Sequence, residues 1–340
     1  MNTSNGTVLV ILLNYKTAQM TLDALQATRA AMEGIPGEVL IVDNDSQDGS
    51  YEFLCEEVAK IPSDDGLAKC RVIQSGHNGG FGAGNNVGIR IGLEEGGFDF
   101  FYIQNSDAFP SKTAISELLT FLQANPKAGF AGSHLHGQDG EPHFTQFRFP
   151  TIASEFEGQA KTGPITKLLK RYQVPMFDLS DTKPTQIGWI AGASLLVRKE
   201  VFEDIGLFDE NFFLYFEEVD LLRRAKLKGW STYYVPTSRV VHLGSVSTGM
   251  QQWSRIPSYW FDSRLYYYTK NYGKLYAAIA TLASLAGGSI YQLRLLISRR
   301  KGSGPKGFMS DLFKHFCKSI WASTARPRGT APPQPVELRS

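Results

Sequence analysis

A chain of 340 residues with 42% apolar content has enough material for one large or two modest domains around a sizeable core. Its formal net charge of +2 conceals a division, because residues 251–340 carry fourteen Lys/Arg against three Asp/Glu, a net of +11, which leaves −9 on residues 1–250. The basic end also contains an apolar segment and many tyrosines, which suits an anionic membrane surface. No nucleic-acid-binding motif is present, and that class of partner is set aside.

Cys55, Cys70 and Cys317 are odd in number and lack the spacing of zinc ligands or a redox dithiol, so they read as reduced thiols in a cytosolic setting. Residues 8–13 are apolar but short, with no preceding positive charge and no small-residue cleavage site, and they read as a first strand rather than a signal peptide. This strand is apolar on both faces, as in a buried parallel sheet, and ends at Asn14-Tyr15. Residues 21–32 have helical spacing and are broken by Gly34, Pro36 and Gly37. Residues 39–42 form a second buried strand, running into the polar loop 43–50, where Asp48 or Ser50 caps a helix over 51–60. Strand, helix and strand with polar strand ends predict a βαβ unit, in which ligands bind beyond the carboxyl ends of the strands.

Residues 71–74 read as a short third strand leading into the glycine-rich segment 78–88. Val87 stands where the dinucleotide fingerprint needs its third glycine, and no Gly-Lys-Ser/Thr follows, so a nicotinamide oxidoreductase loses most of its support. What remains is a glycine-rich turn into a helix, serving either close approach of a ligand or tight packing of the helix start. The apolar run 100–103 then ends in Asn105 and Asp107, which at spacing i, i+2 point to the same side of an extended chain. Two oxygen-bearing side chains there suit a hard divalent cation such as magnesium or manganese, and the alternative is an Asx turn before Pro110.

A helix over 113–124 and a short strand over 130–133 follow. Residues 134–185 lack a strong period and read as long loops with short elements, a setting for substrate-specific structure. Order returns with a small-residue turn and strand over 188–198 and a short helix over 199–205. An aromatic run then feeds a helix whose start holds Glu217, Glu218 and Asp220. The helix dipole accounts for one or two of these carboxylates. Three beside an apolar wall also suit a general base with an adjusted pKa. Residues 230–236 and 240–244 read as two strands, the second an edge strand carrying His242, and a lone histidine is more often a structural hydrogen-bonder than a ligand. Aromatics and arginines recur at helical spacing over 253–272. Residues 275–293 are the longest charge-free stretch. With Lys270, Lys274, Arg294, Arg299, Arg300 and Lys301 around them, they suit a helix lying in a membrane interface, or one packed on the body. Residues 324–340, with Pro327, Pro332, Pro333 and Pro335, read as a disordered tail.

Several segments in order carry a resemblance: Leu13-Asn14-Tyr15; residues 42–46 with Asp48-Gly49-Ser50; Asn78-Gly79-Gly80-Phe81 through Asn86-Val87-Gly88; Asn105-Ser106-Asp107; Gly192-Ala193; Phe208-Asp209-Glu210 with Phe213; Glu217-Glu218-Val219-Asp220 with Arg223; and His242. Together they resemble glycosyltransferase family 2, specifically the bacterial rhamnosyltransferase-like group, over residues 7–275. The resemblance implies an α/β GT-A nucleotide-diphospho-sugar transferase fold, with a mainly parallel central sheet flanked by helices and with C-terminal helices. The catalytic domain would occupy 1–250, its nucleotide-binding half near 1–110 and its acceptor-binding half near 111–250, followed by basic amphipathic helices over 251–323.

By the same resemblance, Asn14, Tyr15, Asp43, Asn44, Asn78, Gly80, Phe81, Asn86, Asn105 and Asp107 contact the donor, with Asp43 on the base or ribose. Asn105-Ser106-Asp107 takes the place of the Asp-X-Asp motif, so Mg2+ or Mn2+ would be held by Asp107, Asn105 and His242. Glu217 or Glu218 supplies the base, Glu217 placed first because Phe216 extends an apolar wall beside it. The implied reaction is an inverting transfer of a sugar, foremost rhamnose from dTDP-rhamnose, to a hydroxyl of a bacterial surface glycan or lipid-linked oligosaccharide at the cytoplasmic face of the membrane. The alternatives are a galactofuranosyl or other hexosyl transferase using a UDP-sugar, and a non-catalytic nucleotide-sugar-binding protein. Two positions depart from the family pattern: Glu218 stands where aspartate is usual, and the metal motif begins with the neutral Asn105.

Overall fold

The computed structural model describes residues 6–62, 65–244, 254–299 and 305–321. β1 (Val8–Asn14), α1 (Ala18–Ala31), β2 (Gly37–Asp43), α2 (Ser50–Ala59), β3 (Lys69–Gln74), α3 (Phe81–Glu95) and β4 (Phe100–Asn105) build a parallel half-sheet in the order β3-β2-β1-β4. All seven residues of β1 are buried because helices cover both faces. Alternation along the strand divides the core in two. Val8, Val10 and Leu12 pack with Leu25 and Met32 on one face, while Leu9, Ile11 and Leu13 pack with Ile89 on the other. The glycines of α3 serve this second layer, since a Cβ on Gly88 would stand 2.9 Å from Ile11. Packing therefore explains the later glycines of the segment 78–88.

The second half continues with β5 (Ala108–Pro110), α4 (Ala114–Ala124), β6 (Ala128–His136), β7 (Gln146–Phe147), α5 (Ile152–Ala160), α6 (Gly163–Leu168), β8 (Thr185–Ile187), β9 (Trp189–Ile190), β10 (Ser194–Arg198), α7 (Lys199–Ile205), α8 (Glu217–Leu227) and β11 (Ser231–His242). β10 runs antiparallel between β4 and β6, β11 lies parallel to β6, and β7 with β9 forms a separate two-stranded ribbon. Two strands were expected over 230–244, and the structure has one. β11 shifts register between Val235 and Arg239, around Pro236, which has no N–H to offer the ladder. Its first part pairs with β8 and its last with β5. β5 itself was not anticipated, because three residues are too few to carry a period.

α9 (Ser258–Tyr272), α10 (Lys274–Ser298) and α11 (Phe308–Trp321) complete the described chain. A buried ion pair joins the first two to α5. Arg264, 2% exposed, donates to both oxygens of Glu155 (3.2 and 2.8 Å), and Tyr268 and Ser284 donate to the same carboxylate. α10 buries Ala277, Ala280, Thr281, Ser284, Gly287 and Gly288. Its opposite side exposes Leu275, Ile279, Leu282, Ile290, Leu293 and Ile297, an apolar stripe at helical spacing. The helix is thus packed on the body and apolar outward at once. Lys270 does not flank that stripe as expected, because its ammonium lies 2.7 Å from both Asp209 and Asp220. Among the described residues no helix is long and apolar enough to cross a membrane. Arg300, Lys301 and the tail expected over 324–340 lie outside the described residues.

Removing Glu155 leaves the Arg264 charge buried without a counter-ion. Glu155→Ala is expected to lower unfolding free energy by about 3–5 kcal/mol, measured by denaturant unfolding, with much of the loss recovered in Glu155→Leu/Arg264→Met. A loss of less than about 1 kcal/mol in the single variant would mean that the pair does not anchor the C-terminal helices.

Candidate active site

A cavity of about 430 Å³ opens beyond the carboxyl ends of β1, β2 and β4, the position that an open α/β sheet reserves for ligands. Tyr15, Asn44, Asn78, Gly80, Phe81, Asn105, Asp107, Glu217, Glu218 and His242 line it. Three other residues singled out in the sequence do not. Asn14 and Asp43, both fully buried, lie beneath the wall. Asn14 Nδ2 donates to Asp43 Oδ1 (2.7 Å), its Oδ1 accepts from the Thr21 hydroxyl (2.7 Å), and Asp43 accepts from the Ser46 hydroxyl (2.6 Å) and N–H (3.1 Å). These bonds tie the β1 end, the loop after β2 and the start of α1 together. Asn86 is likewise committed, bonding the Phe208 N–H (3.0 Å) and carbonyl (2.9 Å) and so fixing the 208 loop to α3.

Asn44 stands directly on the wall. Its Nδ2 donates to Asn78 Oδ1 (3.0 Å) and to the Gly80 carbonyl (3.2 Å), while its Oδ1 is buried with no partner. A buried acceptor left open in a cavity is a ready contact for an N–H of a ligand. Gly80 adopts φ +91°, and any Cβ there would collide with the Phe213 carbonyl, which accepts the Phe81 N–H at 3.2 Å. This close approach joins the start of α3 to the segment that precedes α8.

The β4–β5 turn and the last residues of β11 meet because His242 pairs with Ala108 and the Leu243 N–H donates to the Asp107 carbonyl (3.0 Å). That register brings His242 Nε2 to 3.2 Å from Asp107 Oδ1. The nitrogen is buried and, apart from this contact, has no hydrogen-bond partner among the described residues, so an imidazole and a carboxylate that could both take a cation stand side by side. Among the described residues no group of three His, Cys, Asp or Glu side chains is assembled for a metal. Two protein ligands fit a hard cation that takes its remaining oxygens from phosphates and water. Ser106 is held from behind by the Thr17 hydroxyl at 2.9 Å, and Gln104 Nε2 donates to the Ala108 carbonyl at 2.8 Å, which fixes the turn.

Glu217 and Glu218 enter from the first turn of α8. Tyr215 and Phe216 just before it are both left-handed, at φ 69° and 70°, a conformation that costs bulky residues about 1–3 kcal/mol each. α9 holds them there. Phe216 packs on Trp260 and Tyr267, and the Ser263 hydroxyl donates to the Leu214 carbonyl at 2.9 Å. Glu217 is 2% exposed and its Oε2 has no partner, whereas Glu218 is half-buried and accepts the Gly192 N–H at 3.2 Å. Burial raises both carboxyls, and Glu217, which also faces the charge of Glu218, is raised furthest. Desolvation here outweighs the helix dipole, which would lower them.

Sequence reasoning missed the wall formed by His143, Phe144, Thr145 and Phe147, and also Leu214 and Tyr215. A signal was present, since three of the six histidines fall within residues 134–143. His143 meets His242 edge to face at 6.0 Å, and burial together with that neighbour holds its imidazole below the ordinary value.

Residues 7–206 match the family described as Glycosyl transferase family 2. The N-acetylglucosaminyl-diphospho-decaprenol L-rhamnosyltransferase of Mycobacterium tuberculosis is 27% identical over 231 residues, covering 66% of this chain and 72% of that protein. The low-salt glycan biosynthesis hexosyltransferase Agl10 of Haloferax volcanii is 25% identical over 223 residues, 64% of this chain and 61% of that one. The mannosyltransferase PcManGT from Pyrobaculum calidifontis, solved in complex with GDP-Man and Mn2+, superposes with a TM-score of 0.58 at 15% identity, covering 95% of this chain and 89% of that one, a likeness of fold. The chain therefore belongs to glycosyl transferase family 2, in its rhamnosyltransferase-like group with a GT-A fold, and is a glycosyltransferase.

Proposed function

We propose that this enzyme is an inverting, divalent-metal-dependent rhamnosyltransferase that moves rhamnose from dTDP-rhamnose to a hydroxyl of a lipid-linked or cell-surface glycan. One observation carries the reading: a buried carboxyl pair and the Asp107–His242 pair face the same 430 Å³ cavity. Asn44 Oδ1 accepts an N–H of the pyrimidine base and Tyr15 lies beside it, while Asn78 and Gly80 hold that wall in place. Mg2+ or Mn2+ held by Asp107 and His242, with Asn105 alongside, would neutralise the charge that develops on the departing diphosphate.

Between the two glutamates, differing environments separate the roles. Glu217 is almost fully buried, with both its burial and the neighbouring Glu218 charge raising it, whereas Glu218 is the more accessible member and is positioned by the Gly192 N–H, so Glu218 is assigned as the base. This reverses the order that Phe216 alone suggested. Glu218 takes the proton of the acceptor hydroxyl as its oxygen attacks the anomeric carbon from the side opposite the diphosphate. The sugar–phosphate bond breaks, nucleoside diphosphate leaves, and the anomeric configuration inverts. Residues 1–250 carry this chemistry. The exposed stripe of α10, flanked by Lys274 and Arg294 and free of acidic residues, rests on an anionic membrane at the cytoplasmic face, where a lipid-linked acceptor is met. The name of the Haloferax relative keeps a hexosyl donor as the second reading.

Glu218→Gln is expected to lower kcat by about 10²–10⁴-fold with donor binding retained, while Glu217→Gln, which keeps the shape of the side chain, stays within about tenfold of wild type. The raised Glu218 places the acidic limb of the kcat/KM profile above the ordinary carboxylate range, so activity falls as pH drops through that elevated value. An acidic limb at the ordinary value, or the reverse order of the two variants, would assign the base elsewhere. His242→Ala should raise the Mn2+ concentration for half-maximal activity by about tenfold or more, and unchanged metal titration would remove His242 from the site. For the membrane face, Leu282→Glu/Leu293→Glu should stop co-sedimentation with phosphatidylglycerol vesicles and spare transfer to a soluble acceptor. Undiminished vesicle binding would place the contact on another surface.

A further inference from the structure

A second cavity, of about 470 Å³, is lined by three cations, Arg148, Arg171 and Lys226, and, among the described residues, by no Asp or Glu. Each cation is held by something other than a carboxylate. Arg148 donates to the Gln173 carbonyl (3.1 Å), Arg171 lies 4.7 Å over the Tyr172 ring, and Lys226 lies 5.3 Å over the Phe149 ring. Among the described residues none of the three forms an ion pair, although Arg148 lies in the field of Asp178, and this is the condition of an anion site.

Aromatic side chains span the surface between the catalytic cavity and this one. A smaller space of about 120 Å³ shares Arg148 with it and reaches Phe177. Phe177 meets Phe144 edge to face at 4.9 Å, and Phe144 lines the catalytic cavity. Asp178, a carboxylate of that smaller space, is bridged to Lys170 at 2.9 Å. Phe144 and Phe177 are each 52% exposed, so the surface between the two cavities offers rings suited to the apolar face of a sugar. The catalytic cavity itself is lined by Asp107, Glu217 and Glu218 and by no Lys or Arg. Among the described residues that cavity offers no fixed side-chain cation for a second anionic group beside the donor diphosphate.

We propose that this track binds the acceptor, with Phe144 and Phe177 under its sugar and the Arg148–Arg171–Lys226 cavity holding a phosphate or diphosphate ester attached to it. The inference rests on the glycosyl-transfer reading and deepens it by naming the acceptor class as a phosphorylated glycan or glycolipid. It assigns acceptor selection to residues outside the carboxyl and metal pairs.

The first test titrates inorganic pyrophosphate into the full-length protein in EDTA, followed by ³¹P NMR. Arg148→Gln/Arg171→Gln/Lys226→Gln should weaken binding by at least about tenfold, and Lys226→Gln alone, at an exposed position, serves if the triple variant melts early. The second compares KM for a glycosyl-diphosphate acceptor and for a phosphate-free alkyl glycoside of the same sugar. The variant should raise the first by about tenfold or more and leave the second and the donor KM unchanged. Equal pyrophosphate binding by variant and wild type overturns the proposal. Lost pyrophosphate binding with an unchanged acceptor KM also overturns it, leaving an adventitious anion site, or a lipid-headgroup site if binding to phosphatidylglycerol vesicles falls as well. If wild type transfers no sugar at all, the reaction reading fails, while the pyrophosphate titration still decides whether the cavity is an anion site.

Discussion

Two consecutive aromatic residues in the left-handed region, Tyr215 and Phe216, set the position of everything that follows them in α8. Neither residue favours that conformation, so the surrounding contacts must impose it. From one side Gly80 brings α3 against the Phe213 carbonyl. From the other, Trp260, Ser263 and Tyr267 of α9 grip Leu214 and Phe216. Lys270 extends the grip by bridging Asp209 to the fully buried Asp220. The two glutamates are thus held in place by a helix that lies C-terminal to the region matched by the family.

That arrangement also explains which parts of the molecule were readable from sequence. The parallel half-sheet was legible because β1, β2 and β4 are apolar on both faces and end abruptly in Asn14, Asp43 and Asn105, a contrast local to each strand. The pairing of Asp107 with His242 was legible only through resemblance, since it depends on a three-residue strand and on a long strand interrupted at Pro236. The wall carrying His143 and Phe144 was not legible as a site. It has no period, and its position is set by contacts with residues far along the chain. Asn14, Asp43 and Asn86 illustrate a different limit. A polar side chain at the right place in a motif can face the ligand or brace the loop that does, and only the hydrogen-bond partners separate the two.

The C-terminal charge admits a similar distinction. Composition gave one basic region, yet its cations have unlike surroundings. Arg264 and Lys270 are neutralised inside the body by Glu155, Asp209 and Asp220, whereas Lys274 and Arg294 remain outside beside the apolar stripe of α10. Net charge over a segment therefore overstates what that segment presents to a partner.

The ribbon of β7 and β9 stands apart from the main sheet, although Phe147 and the residues just beyond β9 reach the cavity. Its strands share no ladder with those that deliver Asn105, Asp107 and His242. The flanking segment is less independent, since β8 pairs with β11 and Glu155 of α5 binds Arg264 of α9, so it is the ribbon itself that can vary without moving those strands. A different side chain at Phe147 would therefore redraw one border of the cavity while Asp107 and His242 keep their places.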